Sequence, residues 1–276
     1  MKILSTPHAH TTYCDGKNSA EEMVLSAIAK GFVSLGLSEH GPQRFDFSSA
    51  IKPGDLSAYI AEVRALGEKY ADRLRLHLGI ERDFYSSAER SDFDYVIGSF
   101  HYLMENGERV AVDGELQPLL EWRDSRYDGD GARMACDFFR QSGEYARSYR
   151  PDIVGHFDLL KKRNGAGQIY DPENKKVIEA GFDALDMILE SGALLELNTG
   201  GMARSGQKTP YPDMLYLRRW RELGGRVIVG SDCHFAPQLD YAFDEMPGYL
   251  RAAGFTTAWR LGAAGEDMFT EFPLDG

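Results

Sequence analysis

The amino-acid sequence predicts an α/β fold, in which about seven strand–helix units form a parallel sheet that closes into a single-domain (β/α)7 TIM-like barrel. Three observations predict it. Short apolar runs alternate strictly with stretches of helical periodicity, the pattern of a parallel sheet with right-handed crossovers. Six of the seven histidines stand at or just past the end of such a run, and in a barrel those ends converge on one mouth. The other fold with this alternation is an open doubly wound sheet, which calls for a glycine-rich first turn. Here the first turn reads "PHAHTTYCDG".

In chain order, "KILST" is the first strand. "SAEEMVLSAIAKG" is the first helix, with Ser19 as N-cap and Gly31 as its stop. "VSLGLSEH" is the second strand, and Leu56, Tyr59, Ile60, Val63, Leu66 and Tyr70 then recur at helical spacing. "LRLHLGIERDF" and "YVIGSFHY" are strands. The segment from about Glu105 to Gly131 is long, polar and rich in Asp, Glu and Gly, and reads as a loop or lid. "RMACDFFRQSGEYARSY" is a helix and "DIVGHFDLL" a strand. Asp171 and Pro172 are placed to cap and open the next helix, with Val177, Ile178, Phe182, Leu185, Ile188 and Leu189 as its buried face. "ALLELNTG", "DMLYLRRWRELGG" and "RVIVGSDCH" complete the alternation as strand, helix and strand. No linker or repeat divides residues 1–276.

With 276 residues, 43% of them hydrophobic, the chain has the size of one barrel. A formal net charge of -12 without a basic run argues against nucleic-acid or membrane binding. Cys14, Cys136 and Cys233 are odd in number and form no C-x-x-C spacing. That speaks against a disulfide framework and for a reducing cytoplasm. The N-terminal apolar run is too short for a signal peptide, and no stretch has the length of a membrane helix.

The chemistry gathers at the strand ends. His8 and His10 follow the first strand, and His40, His101, His156 and His234 follow later ones. Asp15, Glu81 and Asp232 join them at the same level. The strand period of two puts Asp232 and His234 on one side with Cys233 turned away, and pairs His8 with His10 in the same manner. Imidazole with carboxylate is the ligand mix of zinc, manganese or iron. Nine such groups exceed the demand of one tetrahedral ion, so two to three divalent metal ions are expected. His77 falls four residues before its strand end and reads as a structural histidine; Cys14 and Cys233 are left out of the ligand set. No G-x-S-x-G elbow or phosphate-cradling G-x-x-x-x-G-K-[ST] loop is present.

Taken together, "HAHTTYCDG", "SLGLSEHGP", "GIERDF", "GSFHYL", "IVGHFDLLK", "ELNTGG" and "GSDCHF" resemble, in order and rough spacing, the PHP (polymerase and histidinol phosphatase) family. The likeness runs from residue 4 to about residue 250 and is strongest to the histidinol-phosphate phosphatase branch. It implies a distorted (β/α)7 barrel with a trinuclear metal centre. One metal would be held by His8, His10, Glu81 and Asp232. Glu81 would bridge to a second, completed by His101 and His156, and the third would take Asp15, His40 and His234. Glu81, Asp232 and His234 are the catalytic candidates. The implied reaction is hydrolysis of a small phosphorylated substrate, L-histidinol phosphate first, by a metal-bridging hydroxide, as a step of histidine biosynthesis. Basic residues of two loops would grip the phosphate: Arg204 in "TGGMARSG", and Lys161 or Arg163 in "DLLKKRNG". The chain departs from the branch at Pro7, where an aromatic residue is common, and over the segment from Glu105 to Gly131. Another small phosphomonoester or a nucleotide is the alternative substrate. An amidohydrolase-type C–N hydrolase is the alternative reaction, and it calls for a metal-bridging lysine at a strand end.

Overall fold

The computed structural model describes residues 2–45 and 48–274. Its elements follow the expected alternation: β1 (Ser5–Thr6), α1 (Ala20–Ala29), β2 (Ser34–Leu37), α2 (Leu56–Lys69), β3 (Arg75–Asp83) and β4 (Tyr95–Ser99). There follow β5 (Tyr102–Glu105), β6 (Glu108–Ala111), α3 (Leu116–Arg126), α4 (Gly131–Tyr149), β7 (Ile153–Val154) and α5 (Lys175–Ser191). The chain continues with β8 (Leu194–Asn198), α6 (Gly200–Ser205), α7 (Met214–Glu222), β9 (Val227–Gly230), α8 (Met246–Ala252), β10 (Thr257–Leu261) and β11 (Phe269–Pro273).

A nine-stranded sheet runs in the order β1-β2-β3-β4-β7-β8-β9-β10-β11. All neighbours are parallel except β10 and β11, which pair antiparallel. The two ends of the order approach each other. Ala9 and Cys233 form a parallel bridge just beyond β1 and β9, and the Ser34 hydroxyl of β2 donates to the Leu261 carbonyl of β10 at 2.7 Å.

Local chemistry explains the boundaries. Ser19 caps α1 through a reciprocal capping box with Glu22, and Gly31 follows the helix at φ 76°, a conformation that glycine adopts without penalty. Asp171 and Pro172 do not open α5. The Asp171 side chain accepts from the Glu173 amide at 2.9 Å in a turn, and Asn174 caps the helix instead. Leu189 of the expected buried face is exposed, while Val177, Leu185 and Ile188 are buried. The segment from Glu105 to Gly131 is not an irregular loop. It holds the second strand of the β5–β6 hairpin and all of α3, whose Leu119 and Trp122 are buried. The hairpin, β10 and β11 are the strands that the sequence pattern did not announce.

Side-chain layers within the sheet position the site. Tyr95, Ile97, Ile153, Leu194, Ile228 and Leu261 pack into a small apolar cluster of their own. One strand period beyond Leu194 and Ile228 come Glu196 and Gly230, and one period further Asn198 and Asp232. Gly230 is required here: a Cβ on it would stand 1.8 Å from Glu196 Oε1. Deleting that side chain leaves room for a buried carboxylate above the apolar layer.

Candidate metal centre

The centre is built around Glu81, near the end of β3 and 1% exposed. His156 Nε2, just past β7, lies 2.8 Å from its Oε1, and His101 Nε2, after β4, lies 3.5 Å from the same oxygen. On the other oxygen converge His40 Nδ1 at 2.6 Å, His8 Nε2 at 3.3 Å and His10 Nε2 at 3.5 Å. Asp232 Oδ1 stands 3.3 Å from His10 Nε2 and 3.7 Å from His8 Nε2. Asp15 Oδ1 lies 3.1 Å from His234 Nε2 and 3.8 Å from His40 Nε2. All nine predicted ligands are therefore brought to one place.

Three buried atoms, His8 Nε2, His10 Nε2 and Glu81 Oε2, make no well-aligned hydrogen bond among the described residues, although His40 Nδ1 stands 2.6 Å from Glu81 Oε2. Buried polar atoms left so are costly unless something else satisfies them. Their chemistry, two imidazole nitrogens and a carboxylate oxygen facing one another, is a donor set for a divalent ion. Further groupings bring His10, Asp15, His40 and His234, and His40, Glu81 and His101, within 4.8 Å of one another. Asp232 holds a left-handed φ of 46°, so the backbone leaves extended geometry at this ligand. Such conformations cluster at functional sites.

Carboxylates behind the ring fix the histidines. Glu196 Oε1 meets His8 Nδ1 at 2.8 Å, and its Oε2 accepts from the His156 amide at 3.1 Å and from Asn198 Nδ2 at 2.8 Å. Asp83 Oδ2 meets His101 Nδ1 at 3.2 Å and accepts from its amide at 2.8 Å. The sequence reading missed both. Their signal is a carboxylate at period two inside a buried strand: Glu196 in "LLELN", and Asp83 two residues after Glu81.

Burial disfavours every charge in this centre, yet the mutual field prevails. At Glu81, burial is outweighed by His40, His8 and His101, which hold the carboxyl well below its usual range. Asp232 is likewise held low, by Arg204 and His8 against burial. His10 goes the other way: burial and its neighbours His234 and His40 hold it neutral. At His40, burial is outweighed by Glu81, which raises the imidazole to about 10. A histidine raised above its ordinary 6.5 contributes stability that is complete below that pH and lost as pH climbs towards about 10. Metal-free protein will therefore lose thermal stability across that window. Metal-loaded protein will not, because a bound ion takes the place of the proton. Melting temperatures of both forms from pH 6 to 10 check this, and parallel profiles would contradict it.

The basic candidates separate. Arg204, from α6, donates to Asp232 Oδ2 at 2.8 Å and contacts His234 Nδ1 at 2.8 Å, and it lines a cavity of about 180 Å³ above the centre. Lys161 and Arg163 do not reach that cavity. Lys161 lies in an ion-paired cluster with Asp213 at 2.6 Å and Asp158 at 3.2 Å, and Arg163 donates to the Asp113 and Gly114 carbonyls. Lys162 lines the cavity instead, paired with Asp113 at 2.8 Å. The segment Leu159–Arg163 is a 3-10 turn, so consecutive lysines point apart, which a strand-end argument cannot resolve. Burial raises the Asp158 carboxyl to about 6, with Lys161 opposing. Lys161→Met will cost about 3 kcal/mol of stability, the order expected when a buried pair loses one partner, and will leave KM unchanged. Urea unfolding and steady-state kinetics on one preparation test this; a raised KM at full stability would return Lys161 to the phosphate. His77 is structural, as expected: it is buried, with Nε2 2.9 Å from the Gly262 carbonyl oxygen.

A family model, the PHP domain, matches residues 7–200. The chain belongs to the PHP domain family. Among curated relatives, the "Probable histidinol-phosphatase" of Deinococcus radiodurans is 30% identical, over 93% of this chain and 96% of that protein. The "Histidinol-phosphatase" of Bacillus subtilis is 24% identical, over 86% of this chain and 96% of its own length. Among solved structures, the histidinol phosphate phosphatase of Lactococcus lactis, complexed with zinc, L-histidinol and phosphate, aligns with a TM-score of 0.62 at 19% identity, covering 93% of this chain and 95% of that one. A chain from Listeria monocytogenes aligns with a TM-score of 0.70 at 21% identity, covering 87% and 98%. These two structures share the α/β fold of this PHP chain. Among the described residues, no helix is long and apolar enough to cross a membrane.

Proposed function

We propose that the chain is a metal-dependent phosphomonoesterase that hydrolyses L-histidinol phosphate. The observation that carries this reading is the gathering of nine ligand-type groups, with five imidazoles on Glu81 at its centre, beneath a cavity that also receives Arg204 and Lys162. The names of relatives aligned over nearly the whole chain supply the substrate.

In this reading His8, His10, Glu81 and Asp232 would hold one ion, Glu81, His101 and His156 a second, and Asp15, His40 and His234 a third. Zinc, manganese or iron would supply a Lewis acid and a water acidified towards neutrality. Glu81 keeps its charge in a buried place because imidazoles surround it, so it can serve two ions at once. Arg204 spends one edge on Asp232 and keeps further N–H donors for phosphate oxygens. Lys162 adds a second cation at the rim. Asp113, held low against burial by Lys162, offers a carboxylate to a cationic group of the substrate. The amidohydrolase alternative needed a bridging lysine, and a glutamate occupies that central position. The fold reading extends in the same way. The Ala9–Cys233 bridge and the Ser34–Leu261 contact support closure into a distorted (β/α)7 barrel within one domain of residues 1–276.

Phosphate release from a panel of phosphomonoesters tests the reading, with metal content determined on the same sample. A strong preference for L-histidinol phosphate is expected. Comparable turnover of unrelated phosphomonoesters would move the substrate elsewhere, and no release from any would remove the activity.

A further inference from the structure

Each of three imidazoles in the centre shows a backing group on its Nδ1. For His8 and His101 that group is a carboxylate, Glu196 at 2.8 Å and Asp83 at 3.2 Å. For His10 it is a thiol: Cys14 Sγ lies 3.4 Å from His10 Nδ1. Behind the thiol stands another carboxylate, with Cys14 Sγ 2.7 Å from Glu39 Oε2. Glu39 is wholly buried, and the Thr11 amide donates to both of its oxygens at 3.0 Å.

We propose that Glu39 and Cys14 form a carboxylate–thiol relay that positions His10 and fixes its tautomer for metal binding. The proposal rests on the metal-centre reading above and concerns residues outside its ligand set. A neutral imidazole that ligates through Nε2 carries its proton on Nδ1. That N–H needs an acceptor, and Cys14 Sγ is the partner it has. The thiol in turn donates its S–H to Glu39 Oε2, with Asp15 Oδ1 farther off at 3.4 Å. The chain of donors therefore has one direction, from His10 through Cys14 to Glu39.

His10, Cys14 and Glu39 also satisfy the spacing of a metal triad, but the geometry favours the relay. The Thr11 amide already engages both oxygens of Glu39, which turns that carboxylate towards the first loop as an outer partner of the thiol.

The test is zinc affinity, measured by competition with a chromophoric chelator, so that it reads the relay whether or not the protein is a phosphatase. Cys14→Ala is expected to weaken the tightest zinc site by about 10–100-fold, the usual effect of losing an outer partner of a ligand histidine. Cys14→Ser, whose hydroxyl both accepts and donates, should recover most of that loss. Glu39→Gln keeps the shape but can present an N–H to sulfur, turn the thiol proton towards His10 and favour the wrong tautomer; it should weaken zinc as much as Cys14→Ala. Circular dichroism of the metal-free variants confirms that each is folded. Wild-type zinc affinity in Cys14→Ala or Glu39→Gln, or a serine variant no better than alanine, would overturn the relay. Intact zinc effects without any phosphomonoesterase activity would leave the relay standing and remove only the proposed reaction.

Discussion

Glu81→Ala is expected to empty the centre of metal and to lower kcat/KM for the phosphomonoester by at least about 10³-fold. That factor corresponds to the several kcal/mol that a Lewis-acid centre supplies to such a reaction. The reason lies in the position of this one carboxylate. Its two oxygens face five imidazoles at 2.6–3.5 Å. Among the described residues, no other carboxylate of the predicted set lies within 4 Å of as many imidazoles: Asp232 meets three and Asp15 two. Alanine at 81 leaves imidazole nitrogens facing one another without the anion that holds them together. Metal analysis after desalting, alongside kinetics, checks this; a fully loaded, active variant would refute the bridging role.

Arg204→Ala should act on a different quantity. Its guanidinium donates to Asp232 Oδ2 and to the Asp232 carbonyl and contacts His234 Nδ1, while the atoms that face the other ligands are Asp232 Oδ1 and His234 Nε2. Removing the arginine leaves the ligand oxygens in place but takes a charged donor from the cavity. KM is expected to rise about 10–100-fold, the scale of one or two charge-assisted hydrogen bonds, with metal content unchanged. Arg204→Lys should recover only part of the loss, because an ammonium cannot form the same planar two-point contact. Unchanged KM in the alanine variant would assign Arg204 to the support of Asp232 and His234 only.

Much of this centre was legible in the sequence, for a physical reason. Parallel strands deliver their C-terminal ends to one side of a sheet, so a histidine after each of several apolar runs reads as a cluster before any coordinates exist. Residues that act at one remove were harder to see. Glu196 sits inside an apolar strand, and its meaning depends on Gly230 of the neighbouring strand leaving space for it. Glu39 stands next to His40 and looks like part of the same motif, yet it serves the first loop through Thr11 and Cys14. Lys161 and Lys162 cannot be told apart by strand-end reasoning, since a tight 3-10 turn sends one to Asp158 and Asp213 and the other to the cavity. The hairpin and α3 between residues 105 and 131 were hidden by a polar composition. Their buried contribution rests on a few side chains, among them Leu103, Val110, Leu119 and Trp122.

Anomalous diffraction from crystals grown with zinc shows whether two ions share Glu81. Two to three anomalous peaks are expected, with Glu81 shared between two of them and with His8, His10, Asp15, His40, His101, His156, Asp232 and His234 completing the ligand sets. A single peak away from Glu81, or none in crystals of active protein, would contradict that sharing.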